Sequence, residues 1–227
     1  MGMGKAMKSK MAKRAAEEIK DGMIVNLGIG IPSLTPDFLP SERFVMFQAE
    51  NGILGMGSSP PLMQEDENLC NAGGFPVTLN QGGSYFDSAT AFGMIRKGYI
   101  DMTILGSLEV SEKGDLANWI VPGKRVPGIG GATELAARAK KVVVVMTHTD
   151  KNGNSKLVKS CRLPLTSRRC VDMIITDLGV FQVVDEGLVL TDIFEPYTIA
   201  DIKEKTDADF SLSEQIRYIP ESFIEGV

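Results

Sequence analysis

The sequence predicts an α/β protein with an open, mostly parallel sheet covered by helices on both faces. Three observations lead there. Apolar runs such as MIVNLGIGIP (23–32), FVMFQA (44–49) and KVVVVMTH (141–148) lack polar alternation, as strands buried on both faces do. Helical patterns stand between them, and that alternation favours parallel pairing. Glycine-rich loops follow the strands, at the carboxyl ends where such sheets hold ligands.

The elements follow in order. SKMAKRAAEEIK (9–20) reads as a first helix with Ser9 as N-cap, its small and apolar residues on one face and Asp21-Gly22 ending it. The strands at 23–32 and 44–49 come next. Residues 58–83, rich in Pro, Gly and Asn, form a long irregular segment of the kind that carries function. SATAFGMIRKG (88–98) is a helix, DMTILGSLEV (101–110) a strand and 114–131 a loop region. ATELAARAK (132–140) is a helix, 141–148 a strand and VDMIITDLGVFQV (171–183) one or two more. DIKEKTDADF, from 201, reads as a short helix leading into a tail. One domain over 1–227 is expected, with about 1–8 and 216–227 as peripheral tails.

Composition narrows the function. Hydrophobic residues make up 43% of the 227 and the net charge is −5, so nucleic acid is not the expected partner. The longest apolar run, VVVVM, is far below the roughly 20 residues that cross a bilayer, and no membrane partner is expected. No signal-peptide core stands at the start, and a cytoplasmic location is expected. The three cysteines, Cys70, Cys161 and Cys170, are odd in number and form no C-x-x-C pair, which suits free, buried thiols. His148 is the single histidine, so no multi-histidine metal site can form, and a hydrogen-bonded structural role at a strand end is expected. The glycine pair in NLGIGIP is followed by Pro32 and Ser33, which breaks a dinucleotide fingerprint.

Glu50 remains. It sits where a buried strand breaks into ENGILGMG (50–57). A carboxylate can attack an activated acyl group and form a covalent intermediate without histidine or metal. Backbone N–H groups of a glycine loop can hold the resulting oxyanion, and GIGG (128–131), opening a helix, is a candidate. The alternative is a loop carboxylate that accepts backbone hydrogen bonds, with Gly52, Gly55 and Gly57 as turn residues.

ENGILGMG resembles the glutamate signature of the family I CoA-transferases, specifically their β subunit, of the 3-oxoacid CoA-transferase type. VNLGIGIP, NAGG, GGSYFDSATAFGMIRKG, LGSLEVSEKGDLANWIVPGK, GIGGATEL and LPLTSRRCVDMIIT resemble family blocks in the same order, from about residue 9 to 215. The resemblance implies that Glu50 shuttles coenzyme A as a glutamyl-CoA thioester. It implies that Gly131 supplies an oxyanion-hole N–H, with Gly130 and Ala132 beside it. Asn26, Asn51 and Asn118 match asparagines that line the family's site. Coenzyme A is implied as substrate, with no permanently bound cofactor and no metal. A separate α subunit is implied as partner in a hetero-oligomer, together with acyl-CoA and carboxylic acid substrates such as acetoacetate.

The sequence departs from the family at Gly74, where many relatives carry a lysine that meets a CoA phosphate; Lys97 and Lys124 are its candidate replacements. Two other readings stand beside transfer. One is an acyl-CoA hydrolase of the same fold, in which water resolves the thioester. The other is a non-catalytic ligand-binding paralogue.

Overall fold

The computed structural model describes residues 3–123 and 128–224. In chain order the described elements are α1 (Lys5–Ala16), β1 (Ile24–Leu27), a 3-10 helix (Pro32–Phe38), β2 (Met46–Ala49), β3 (Ile53–Met56), β4 (Leu79–Tyr85) and α2 (Ser88–Arg96). Then come β5 (Met102–Leu105), β6 (Glu109–Ser111), β7 (Leu116–Ala117), α3 (Ala132–Arg138), β8 (Val142–Val145), β9 (Leu157–Val158) and β10 (Met173–Ile175). β11 (Gly179–Val184), β12 (Gly187–Phe194), α4 (Ile199–Lys205), β13 (Phe210–Ile219) and a last 3-10 turn (Glu221–Ile224) complete them.

Ten strands form one sheet in the order β13-β12-β11-β10-β8-β5-β1-β2-β3-β4. Its centre, β10-β8-β5-β1-β2, is wholly parallel. Antiparallel hairpins extend it on both sides, through β11 and β12 on one and β3 and β4 on the other. The α/β architecture is the one the apolar runs predict, and the alternation of β8 shows why. Val143 and Val145 pack with Met11 and Ala15 of α1 on one face. Val142 and Val144 pack with Ala136 of α3 and Ile202 of α4 on the other. Each such valine contributes about 1.5–3 kcal/mol by leaving water, so a run of four specifies a strand covered on both faces. A second, three-stranded sheet (β7-β6-β9) lies on the α3 and α4 face, with Val110, Leu116 and Leu157 in the same core.

Several boundaries differ from expectation. α1 starts at Lys5 with Gly4 as N-cap, not at Ser9, because Met3 and Met7 also pack on the core that Met11 and Ala15 reach. Among the described residues the terminal stretches are not wholly peripheral: Ile219 is fully buried at the end of β13, and Phe223 packs on the core under Lys13. The expected strand over 101–110 is two strands in different sheets, divided at Gly106–Leu108. The tail expected after α4 is the ten-residue edge strand β13, paired parallel to β12.

Arg14 joins these outer parts to α1. Its Nε and Nη2 donate to Asp192 of β12 at 3.1 and 3.3 Å, and its Nη1 donates to Glu18 at 2.6 Å. Both Arg14 and Asp192 are buried.

Candidate active site

Glu50 is the first residue beyond β2, at the carboxyl end of the parallel centre. The chain turns back at once: the Gly52 N–H donates to the Ala49 carbonyl at 3.0 Å, and Ala49 pairs with Ile53. Gly52 has φ +121, and a Cβ there would stand 2.0 Å from the Phe86 carbonyl oxygen. No other residue fits this corner. Gly55 meets the Gly83 Cα of β4 in the same way, at 2.8 Å. These two signature glycines therefore let β3 pack against its neighbours, in keeping with the turn-residue reading.

The faces of the strands decide where Glu50 points. Phe47 and Ala49 belong to the core on the α1 face, so Gln48 and Glu50, alternate with them, belong to the α2 and α3 face. Asn26 of β1 is the register partner of Gln48 on β2 and of Thr103 on β5. Asn26 is almost fully buried, and its Nδ2 donates toward Glu50 Oε2 at 3.2 Å. Glu50 is half-buried.

Gly131, the residue before α3, closes the site from above. A Cβ on it would lie 3.1 Å from both Cγ and Oε1 of Glu50 and 3.2 Å from Cδ. Its φ and ψ of −81° and −1° suit any residue, so closeness to the carboxylate is what glycine provides here. Among the described residues, its N–H meets no hydrogen-bond acceptor. Gly130 precedes it at φ +54, and Ala132 opens α3. α3 is held in place by α2, where Arg96 donates to Glu134 Oε1 from Nε at 3.0 Å and Nη2 at 2.8 Å. α3 spans seven residues, so its N–H groups, more than a long helix dipole, define this end of the site.

The other expected residues lie further out. Asn51 is exposed, and its Nδ2 donates to the Cys70 carbonyl at 2.8 Å, tying down the irregular segment. Asn118 follows β7; its Nδ2 donates to the Gly106 carbonyl at 3.2 Å, and its Oδ1 accepts from the Thr166 hydroxyl at 2.6 Å. It thus fixes the loop beyond β5, next along the sheet from β1. Gly74 has φ +79 in a turn where Asn71 Oδ1 accepts from the Gly73 and Phe75 N–H groups, a conformation that suits glycine and strains lysine. Lys97 is exposed at the end of α2. Lys124 lies outside the described residues.

His148 has the structural place expected of it. It is fully buried, with Nδ1 3.0 Å from the Thr176 hydroxyl and Nε2 2.9 Å from that of Thr206. Burial, aided by the Lys205 charge, pushes its pKa down to about 4. The cysteines depart from expectation: Cys70 is exposed, and Cys161 and Cys170 are half-buried. Cys70 lies in the irregular segment, which presents side chains to solvent along most of its length. Among the described residues no three His, Cys, Asp or Glu side chains gather as a metal site requires, and no helix is long and apolar enough to cross a membrane.

Beside the site, on the α1 face, a cleft of about 330 Å³ opens between Leu27, Gly28 and Ala49 on one side and Met56, Phe75 and Val77 on another. Glu50 does not line it.

A half-buried carboxylate gripped by an asparagine and closely approached by a glycine at the start of a helix is suited to acyl chemistry. The family model described as Coenzyme A transferase matches residues 8–205. The chain belongs to the coenzyme A transferase family. Within it the chain is of the β-subunit type. It is 57% identical over 212 residues to a Bacillus subtilis protein named "Probable coenzyme A transferase subunit beta", covering 93% of this chain and 98% of that one. It is 47% identical over 206 residues to one subunit of the Helicobacter pylori (strain 26695) succinyl-CoA:3-ketoacid coenzyme A transferase, covering 91% and 99%. It is 43% identical over 206 residues to the Escherichia coli K12 acetate CoA-transferase subunit beta, covering 91% and 94%. Among solved structures, the fold matches an acyl-CoA transferase apoenzyme of Escherichia coli O157:H7 at TM-score 0.75 and 19% identity. That match covers all of this chain and 46% of the other, so the coenzyme A transferase chain described here spans about half its length.

One residue at the site went unread in the sequence. Gln48 interrupts an apolar strand two positions before Glu50, which places it on the same face. That spacing was the available signal.

Proposed function

We propose that this β-type chain moves coenzyme A between an acyl-CoA and a carboxylic acid, a 3-oxoacid such as acetoacetate, with Glu50 as the nucleophile. A Glu50 oxygen attacks the thioester carbonyl carbon, and the C–S bonding pair leaves as the CoA thiolate. The thiolate attacks the Glu50 Cδ. The bond from Cδ to the shared anhydride oxygen breaks, and the donor acid departs as a carboxylate. Glu50 now carries CoA as a thioester. The acceptor carboxylate reverses these steps and restores the Glu50 carboxylate. No net proton moves, and the thioester is exchanged rather than hydrolysed.

The observation that carries this reading is the contact of Gly131 with the Glu50 carboxyl group, with Asn26 on the opposite oxygen. Asn26 steadies Oε2, and the Gly131 N–H can face an oxyanion formed beside Oε1. The names of the relatives, which include 3-ketoacid and acetate CoA-transferases, support the substrate class. Their naming as single subunits of an enzyme supports an α subunit as partner in a hetero-oligomer.

Hydroxylamine tests the chemistry. Added to the assembled enzyme after acetoacetyl-CoA, it cleaves an activated glutamyl group and leaves a hydroxamate. Peptide mapping is expected to find it at Glu50. A hydroxamate on another residue, or none in an enzyme active in transfer, overturns the assignment. CoA release without an acceptor acid, at the rate of transfer, identifies a hydrolase instead.

A further inference from the structure

One nitrogen of Asn26 serves three acceptors. Its Nδ2 lies 2.8 Å from Gln48 Oε1, 3.1 Å from the Gln48 carbonyl oxygen and 3.2 Å from Glu50 Oε2. The group that faces a carboxylate has to be a donor, which fixes the orientation of the Asn26 amide. The Gln48 atom that meets the same nitrogen is then an oxygen. Gln48 Nε2 is left turned away, fully buried and without a partner among the described residues. Thr103, on the other side of Asn26, likewise keeps a buried hydroxyl without a partner.

A buried donor without an acceptor is a cost that an apolar side chain of the same size avoids. Packing alone gives no reason for glutamine in this row. Its Oε1 does give one: it takes one Asn26 hydrogen, so that the other is aimed between the Gln48 carbonyl and Glu50 Oε2.

We propose that Gln48 is a positioning residue that acts through Asn26 to hold Glu50 by Oε2 and turn Oε1 toward Gly131 as the attacking oxygen. Oε1 then forms the bond to the acyl carbon and leaves with the donor acid. Oε2 stays on Cδ under Asn26 and becomes the carbonyl oxygen of the glutamyl-CoA thioester. The inference rests on the reading of Glu50 as nucleophile.

Its test uses the chain purified with its partner subunit and rapid-quench intact-mass analysis of CoA-adduct formation from acetoacetyl-CoA. Gln48→Met keeps the volume and removes the acceptor. Adduct formation and kcat are expected to fall about ten- to hundredfold, as for a misplaced reacting group, with KM for the acyl-CoA unchanged. The double variant Asn26→Leu/Gln48→Met is expected to be no slower than Asn26→Leu alone, because Gln48 acts through Asn26. Gln48→Asn, which withdraws the amide by one methylene, gives the same reading if the methionine variant does not assemble. Wild-type adduct rates in these variants, or losses that add in the double variant, overturn the proposal. A wild-type complex that transfers CoA without any adduct fails at the earlier step, the nucleophilic role of Glu50, and this inference falls with it.

Discussion

A methyl group on Gly131 would stand 3.1 Å from the Oε1 of Glu50, although the two residues are far apart in the chain. That approach is tighter than ordinary van der Waals contact, and the backbone of Gly131 would otherwise accept alanine without strain. Gly131→Ala is therefore expected to fold with a change in stability below about 1 kcal/mol and to lose about ten- to hundredfold in kcat. Thermal unfolding and steady-state kinetics on the same sample separate the two effects.

His148 makes stability depend on pH in a defined window. Its pKa falls from 6.5 in the unfolded chain to about 4 in the fold, so the unfolded state binds the proton more readily. The stabilisation is complete above about pH 6.5 and is lost as pH falls toward 4, by up to about 3 kcal/mol. Denaturant unfolding at pH 7, 5.5 and 4.5 is expected to show this decline, and His148→Gln is expected to flatten it. An unchanged slope in the variant removes His148 as the cause.

Arg14 and Asp192 form a buried ion pair between α1 and β12. Asp192→Ala leaves the guanidinium buried with Glu18 and, at 3.6 Å, Glu17 as remaining partners, at a cost of about 3 kcal/mol. Arg14→Met/Asp192→Leu removes both charges and is expected to cost less than the single change. Melting temperatures of the three proteins check the order.

The thiols differ in reactivity. Cys70 is exposed, whereas burial raises the Cys170 thiol to about 11 and the Cys161 thiol to about 12. Iodoacetamide at pH 8 is expected to modify Cys70 first. Earlier labelling of Cys161 or Cys170, read by peptide mass, contradicts that order.

The sequence shows some of these features and conceals others for physical reasons. VVVV over 142–145 can only be a strand covered on both faces, and it is one. FSLSEQIRYI, in β13, lies at a sheet edge and exposes most of its side chains, so it lacks the apolar run by which the central strands are read. Ser9 looks like a cap because serine favours the N-cap position, but Met3 and Met7 pack on the core and draw the helix start back to Lys5. The Arg14–Asp192 pair joins residues 178 positions apart, and no local pattern encodes it. At the site, Glu50 stands out as a lone carboxylate where a strand breaks into a glycine loop and GIGG as a loop opening a helix, and the ordered family blocks add the roles of Glu50 and Gly131. Gln48 was hidden because a single glutamine in FVMFQA reads as an interruption of the apolar run, and its meaning depends on the Asn26 it faces across the strands.

The central claim is that Glu50 carries coenzyme A covalently. Intact-mass analysis of the chain, assembled with its partner and exposed to acetoacetyl-CoA without an acceptor acid, tests it most directly. A CoA adduct on the wild-type chain, absent in Glu50→Gln and removed by a carboxylate, is the predicted result. Transfer activity with no adduct on this chain, or an adduct that persists in Glu50→Gln, contradicts the claim.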